Sequence, residues 1–128
     1  MSGESPAEIG ETAAGEVVRF EVVEHGPGAV VVHVRGEIDT MTAPVLRNEL
    51  DEHLPSVPLV VLDLSAVTFL GSAGLAVLVA AKDDAEQRGH LLRLVCGSRI
   101  VTRALEATGL LALFDVAAGV PEALRPAG

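Results

Sequence analysis

The run Leu59-Val60-Val61-Leu62-Asp63-Leu64 constrains the fold more than any other part of the chain. A half-exposed strand alternates apolar and polar residues; a nearly continuous aliphatic run belongs to a central strand covered on both faces. Leu91 to Cys96 repeats that character. Upstream, Val17 to Val23 alternates Val18, Phe20 and Val22 against Arg19 and Glu21, the pattern of a half-buried strand. Ala29 to Arg35 turns Val30, Val32 and Val34 inward, with Val31, His33 and Arg35 on the other face. His25-Gly26-Pro27-Gly28 joins these two as the turn of a hairpin.

Helical patterns separate the later strands. After Gly36-Glu37-Ile38-Asp39, Thr40 or Thr42 caps a helix whose stripe is Val45, Leu46, Leu50 and Leu54. A loop through Phe69-Leu70-Gly71 leads to a helix from about Ser72 to Arg88, stopped by Gly89. Ser98 caps a third helix carrying Ile100, Val101, Ala104 and Leu105, which Gly109 ends. A short strand near Leu113 to Val116 follows, and Pro121 opens a last helical turn through Leu124. The expected class is α/β: one domain over residues 16–126, with a mixed four- to five-stranded sheet flanked by about four helices. Residues 1–15 carry Glu4, Glu8 and Glu11, no base and little to bury, and are expected to form a disordered acidic tail.

Composition excludes several kinds of partner. The 128 residues have a net charge of −9, and with the tail removed nine bases still face 15 acids, so the folded part keeps −6. Such a chain repels nucleic acid and anionic lipid. Three Phe, no Trp and no Tyr leave no stacking platform for single-stranded bases. The single Cys96 forms no internal disulfide and builds no zinc site alone; within Leu91–Cys96 it is a small buried hydrophobe. Acids at the N-terminus do not suit a signal peptide, and no apolar stretch approaches the roughly eighteen residues of a membrane span. The expectation is a cytoplasmic protein that meets other proteins or small molecules.

Catalytic motifs are missing. There is no phosphate loop and no dinucleotide fingerprint, and Lys82 is the only lysine. His25, His33, His53 and His90 are scattered without metal-ligand spacing. Asp63 suits a loop-ordering hydrogen-bond acceptor better than a general base, and Asp83, Asp84 and Glu86 form a solvated helix face. Phe69-Leu70-Gly71-Ser72-Ala73-Gly74-Leu75 places a serine at a strand–turn–helix junction. It does not suit a hydrolase elbow, because Leu70 stands where G-x-S-x-G needs glycine, no convincing Asp–His pair follows, and the chain is short for such a fold. Two readings of Ser72 are left: a helix N-cap, or a switch. A phosphate there would carry about −1.5 to −2 at the positive end of a helix, changing the outer surface without unfolding it.

Gly36-Glu37-Ile38-Asp39, Asp63-Leu64-Ser65-Ala66-Val67-Thr68-Phe69, Ser72-Ala73-Gly74-Leu75 and Ala104-Leu105-Glu106-Ala107-Thr108-Gly109-Leu110 together resemble the STAS domain. Within that family the chain is similar to the free-standing bacterial anti-sigma-factor antagonists, over about Val17 to Leu124. The resemblance implies an unphosphorylated antagonist that binds a kinase-type anti-sigma factor of the histidine-kinase-like ATPase fold and frees the sigma factor. Phosphorylation of the serine opening the second helix ends that binding, and a PP2C-type phosphatase resets it. Ser72 matches the acceptor. Glu37, Asp39 and Thr40 match the adjoining docking loop. Leu70, Gly71, Ala73, Gly74 and Leu75 around Ser72 are expected to complete the partner surface, Leu70 and Leu75 as exposed apolar contacts, with the core as the equal alternative for Leu75. The resemblance implies no catalytic residue, metal, cofactor, nucleic acid or membrane. The family commonly reads Asp-Ser-Ser/Thr-Gly where this chain has Gly71-Ser72-Ala73-Gly74: a carboxylate and a second hydroxyl are absent. That departure motivates the alternative, a non-phosphorylated STAS scaffold in a stress-signalling or lipid-transport complex.

Overall fold

A computed structural model of the chain describes residues 8–11 and 17–125. Strands β1 (Glu8–Glu11), β2 (Val17–Glu24) and β3 (Ala29–Ile38) are followed by helix α1 (Ala43–His53) and strand β4 (Leu59–Leu70). Helix α2 (Ser72–Gln87), β5 (Leu91–Val95), α3 (Arg99–Ala107), β6 (Asp115–Ala117) and α4 (Val120–Ala123) complete the order. Strands lie in the sheet in chain order. β1–β2 and β2–β3 are antiparallel, while β3 to β6 run parallel. β2 to β6 make the mixed five-stranded sheet the patterning implies.

β1 adds a sixth strand on the β2 edge, pairing Ile9 with Arg19 and Gly10 with Val18. This corrects the expectation of a structureless tail at residues 8–11. Strand pairing is a backbone interaction and does not need the apolar side chains whose scarcity suggested disorder. The rest of that acidic segment lies outside the described residues.

Two faces follow from the alternation. Val18, Phe20, Val22, Val30, Val32, Val34, Val60, Leu62, Leu64, Leu92, Leu94 and Cys96 point to one side, where α1, α2 and α3 cover them with Leu46, Leu50, Leu78, Val101 and Leu105. On the other side Val31, Val61 and Val95 lie beneath Ala123 of α4. Val31 is therefore buried, although its face also carries His33 and Arg35. Ile100, placed on the apolar stripe of α3 by its spacing, is exposed instead.

Candidate functional site

The site is built where β3 ends, α1 begins and β4 turns into α2. The β3–β4 ladder holds two irregularities, between His33 and Arg35 and between Gly36 and Glu37. At the first, Asp63 Oδ1 accepts from the Ser65 amide at 3.0 Å and the Ser65 hydroxyl at 2.7 Å, and Oδ2 meets His33 Nδ1 at 2.7 Å. Asp63 is thus the local acceptor its position suggested. Burial pushes its carboxyl pKa up, but the Ser65 hydrogen bonds, helped by His33, outweigh it and hold the carboxyl below its ordinary value. At the second, Gly36 takes φ +112°, a conformation that side chains oppose. The extra residue, Thr68, is passed over by the ladder, and pairing resumes at Glu37 with Phe69 and Ile38 with Leu70.

Because pairing resumes, Phe69 and Leu70 are strand rather than the loop expected there. The Gly71 amide donates to the Ile38 carbonyl at 2.9 Å, closing the ladder. The bulge also decides which side chains are accessible. Leu70 returns to the core at 6% exposure, and Leu75 is 7% exposed. Leu70, expected as an exposed contact, is a core residue; Leu75 takes the core place that was its alternative, and Gly74 is buried with them. The exposed apolar groups are Phe69 at 49% and Met41 at 45%. Neither was singled out as a contact. Phe69 could be found only by knowing that Thr68 is the bulged residue, because simple alternation through Val67 hides it.

Asp39 organises the loop before α1. Its Oδ1 accepts from the amides of Met41 and Thr42, each at 3.0 Å, while Thr42 Oγ1 accepts from the Asp39 amide at 2.9 Å and donates to the Glu37 carbonyl at 2.7 Å. The Ala43 amide reaches the Asp39 carbonyl at 2.8 Å. This reciprocal arrangement closes the turn that leads into α1; the N-cap itself is Thr42, one of the two expected caps, although its side chain makes no capping hydrogen bond to the helix. Thr42 is fully buried inside the turn, whereas Glu37 and Thr40 are exposed and Asp39 half-exposed.

At the start of α2 the Leu75 amide donates to the Gly71 carbonyl at 3.0 Å. Gly71 is therefore the N-cap, and Ser72 is the first helical residue. The N-cap reading of Ser72 is corrected. Its exposed hydroxyl has no hydrogen-bond partner among the described residues. The first turn contains no acid, and the first amides of a helix have no intrahelical acceptor. An anion attached at this hydroxyl would meet the positive end of a sixteen-residue helix.

Gly74 explains how α2 comes so close to β3. A Cβ built there would lie 2.5 Å from Ile38 Cγ2 and 2.7 Å from Leu70 Cδ1. A Cβ at Gly71 would meet the Phe69 ring at 3.0 Å, the far end of a side chain that can swing outward. Ring and missing side chain are thus related: Phe69 lies over the space a residue at 71 would use.

Elsewhere, two histidines have structural partners. His53 Nε2 lies 3.0 Å from Glu49, and Glu49, Glu52 and His53 are the one group among the described residues with potential metal-ligand spacing. His90 Nδ1 meets the Leu54 carbonyl at 2.8 Å. Cys96 is buried, and burial raises its thiol pKa. No helix among the described residues is long and apolar enough to cross a membrane.

Comparison with known proteins agrees with this geometry. The STAS domain family model matches residues 21–123. The anti-sigma-F factor antagonist RsfB of Mycobacterium tuberculosis is 33% identical over 113 residues, covering 88% of this chain and 91% of RsfB. The crystal structure of an anti-sigma factor antagonist from Mycobacterium paratuberculosis superposes with a TM-score of 0.76 at 35% identity, over 84% of this chain and 91% of that one. The phosphorylated form of the Bacillus cell fate determinant SpoIIAA shares the fold, with a TM-score of 0.60 at 17% identity over 77% of this chain and 90% of that one.

Proposed function

The chain belongs to the STAS domain family, and from that premise we propose that it is an anti-sigma-factor antagonist switched off by phosphorylation at Ser72. The observation that carries this reading is the state of Ser72: exposed, at the first position of α2, with no hydrogen-bond partner among the described residues. A serine held as a cap would lose its bond on modification, whereas this one has none to lose. The relatives named as antagonists support the partner class, an anti-sigma factor. The finer identity of the partner, a serine kinase of the histidine-kinase-like ATPase type with a PP2C-type phosphatase acting in reverse, rests on the resemblance.

Mechanistically, the proposed docking face joins Ser72 with the exposed Glu37 and Thr40 and the half-exposed Asp39, Gly71 and Ala73, and the exposed Met41 and Phe69 would add apolar area to it. Small residues at the helix start let a partner approach the backbone closely. A phosphate on Ser72 places a dianion there, which a docked partner must desolvate or repel. The helix gains a favourable charge at its N-terminus, so the fold is retained while the interface is lost. ATP and its metal belong to the kinase; the antagonist acts in the cytoplasm as a regulator without chemistry of its own.

The test is a side-by-side binding measurement of unmodified and Ser72→Asp protein with the cognate anti-sigma factor, plus kinase and ATP with mass analysis. Binding should weaken at least about ten-fold in Ser72→Asp, with melting almost unchanged, and one phosphate should appear on Ser72. Equal binding by both proteins and no mass change would instead support the constitutive scaffold that Gly71 and Ala73 motivate. A large loss of melting temperature in Ser72→Asp would assign Ser72 a structural role.

A further inference from the structure

Helix α4 covers the second sheet face only around Val31, Val61 and Val95. Beyond it the same face bears Arg19 and Glu21 on β2, His33 and Arg35 on β3, and Asp63 and Ser65 on β4, lining a groove of about 430 Å³. That volume is within the usual range of small-molecule sites, about 300–1,000 Å³. None of the groove's lining residues belongs to the docking face assigned around Ser72.

Arg19 and Arg35 are register partners on antiparallel β2 and β3. They share the outer face, because the intervening core positions Val18, Phe20 and Val34 point the other way. Directly opposed residues have Cβ atoms about 4.5–5.5 Å apart, and like charges there are destabilising. Neither guanidinium has a salt bridge or hydrogen bond among the described residues. The carboxylate of Asp63 is already occupied, one oxygen by Ser65 and the other by His33. Glu21 is exposed, faces His33 in register, and forms no ion pair with either arginine. Two guanidinium groups without an ion pair among the described residues thus line one concave surface of a chain with net charge −9.

We propose that this groove binds a small molecule bearing a phosphate or carboxylate group, held between the guanidinium groups of Arg19 and Arg35. Guanidinium donors match either oxyanion with paired charge-assisted hydrogen bonds, and a bound anion removes the repulsion between the two arginines. The volume favours a compact ligand over a polymer.

The test is an amide NMR titration of the full chain with inorganic phosphate, and in a second arm with citrate, at constant ionic strength set by chloride. Saturating shifts confined to Arg19, His33, Arg35 and Ser65 and their neighbours are expected in at least one arm. The arm that saturates at lower concentration names the head group. Arg19→Gln and Arg35→Gln should each weaken that saturation by roughly ten-fold. Both variants should melt no lower than the parent without added anion, since each removes a like-charge contact. Shifts that stay linear to about 50 mM in both arms, or saturation unchanged in both variants, would overturn the proposal. Neither Ser72 nor an anti-sigma factor enters this experiment, so its failure leaves the proposed switch standing.

Discussion

Gly74 and Gly71 stand three positions apart and are small for different reasons. At Gly74 the neighbours are Ile38 Cγ2 and Leu70 Cδ1, both in the core, so an added methyl has nowhere to go. Gly74→Ala should destabilise by about 1–3 kcal/mol, the usual range for overpacking, and appear as a fall of several degrees in thermal unfolding. At Gly71 the obstacle is the mobile end of the Phe69 ring. Gly71→Asp should leave stability within about 1 kcal/mol, because the ring can swing into solvent. Cys96 follows from burial in the same way. With its thiol raised and enclosed, it should resist alkylation in the native protein and react promptly in denaturant, as mass spectrometry would show.

Among the described elements, α4 is the shortest α-helix and its docking depends on one strand residue. Arg93 of β5 is buried; its Nε donates to Asp115 at 3.0 Å, and Nη1 donates to the carbonyl of Ala123 at 2.9 Å and to that of Arg125. It satisfies carbonyls that a helix end leaves unpaired. Arg93→Met would keep the aliphatic stem but strand those acceptors. A loss of about 1–3 kcal/mol is expected, with hydrogen exchange accelerating in residues 120–124 before the rest of the chain. Retained protection there would show that Ala123 against Val31, Val61 and Val95 suffices. The run Leu91–Cys96 identified a buried strand, but it could not say that its one charge holds a helix. Likewise Asp39 was legible as part of a motif, while its role in ordering the turn before α1 emerges only from its bonds to Met41 and Thr42.

For the molecule as a whole, acid should act partly through Asp63. Its folded-state pKa is below the ordinary value, so the stability it contributes is fully present above the unfolded pKa, about 3.9, and is lost as pH falls through the folded value. Asp63→Asn should flatten the acid limb of melting temperature measured from about pH 6 to about pH 2. An unchanged limb would mean that other carboxylates govern acid unfolding. Because Asp63 also orders the bulge through Ser65, it links the acid response to the strand segment leading toward the site.

The sequence by itself determined the α/β layering, since period-two and period-3.6 patterns are local and survive without knowledge of partners. It also placed a serine at the opening of α2, through glycines and small residues that only a tight junction favours. Tertiary structure alone decided which residues around that serine are accessible. A one-residue bulge reverses facing, so Leu70 went inward and Phe69 outward. It likewise decided that Arg19 and Arg35, sixteen positions apart in the chain, oppose each other across two strands. Register is a property of two strands at once, and a pattern read along one strand does not contain it.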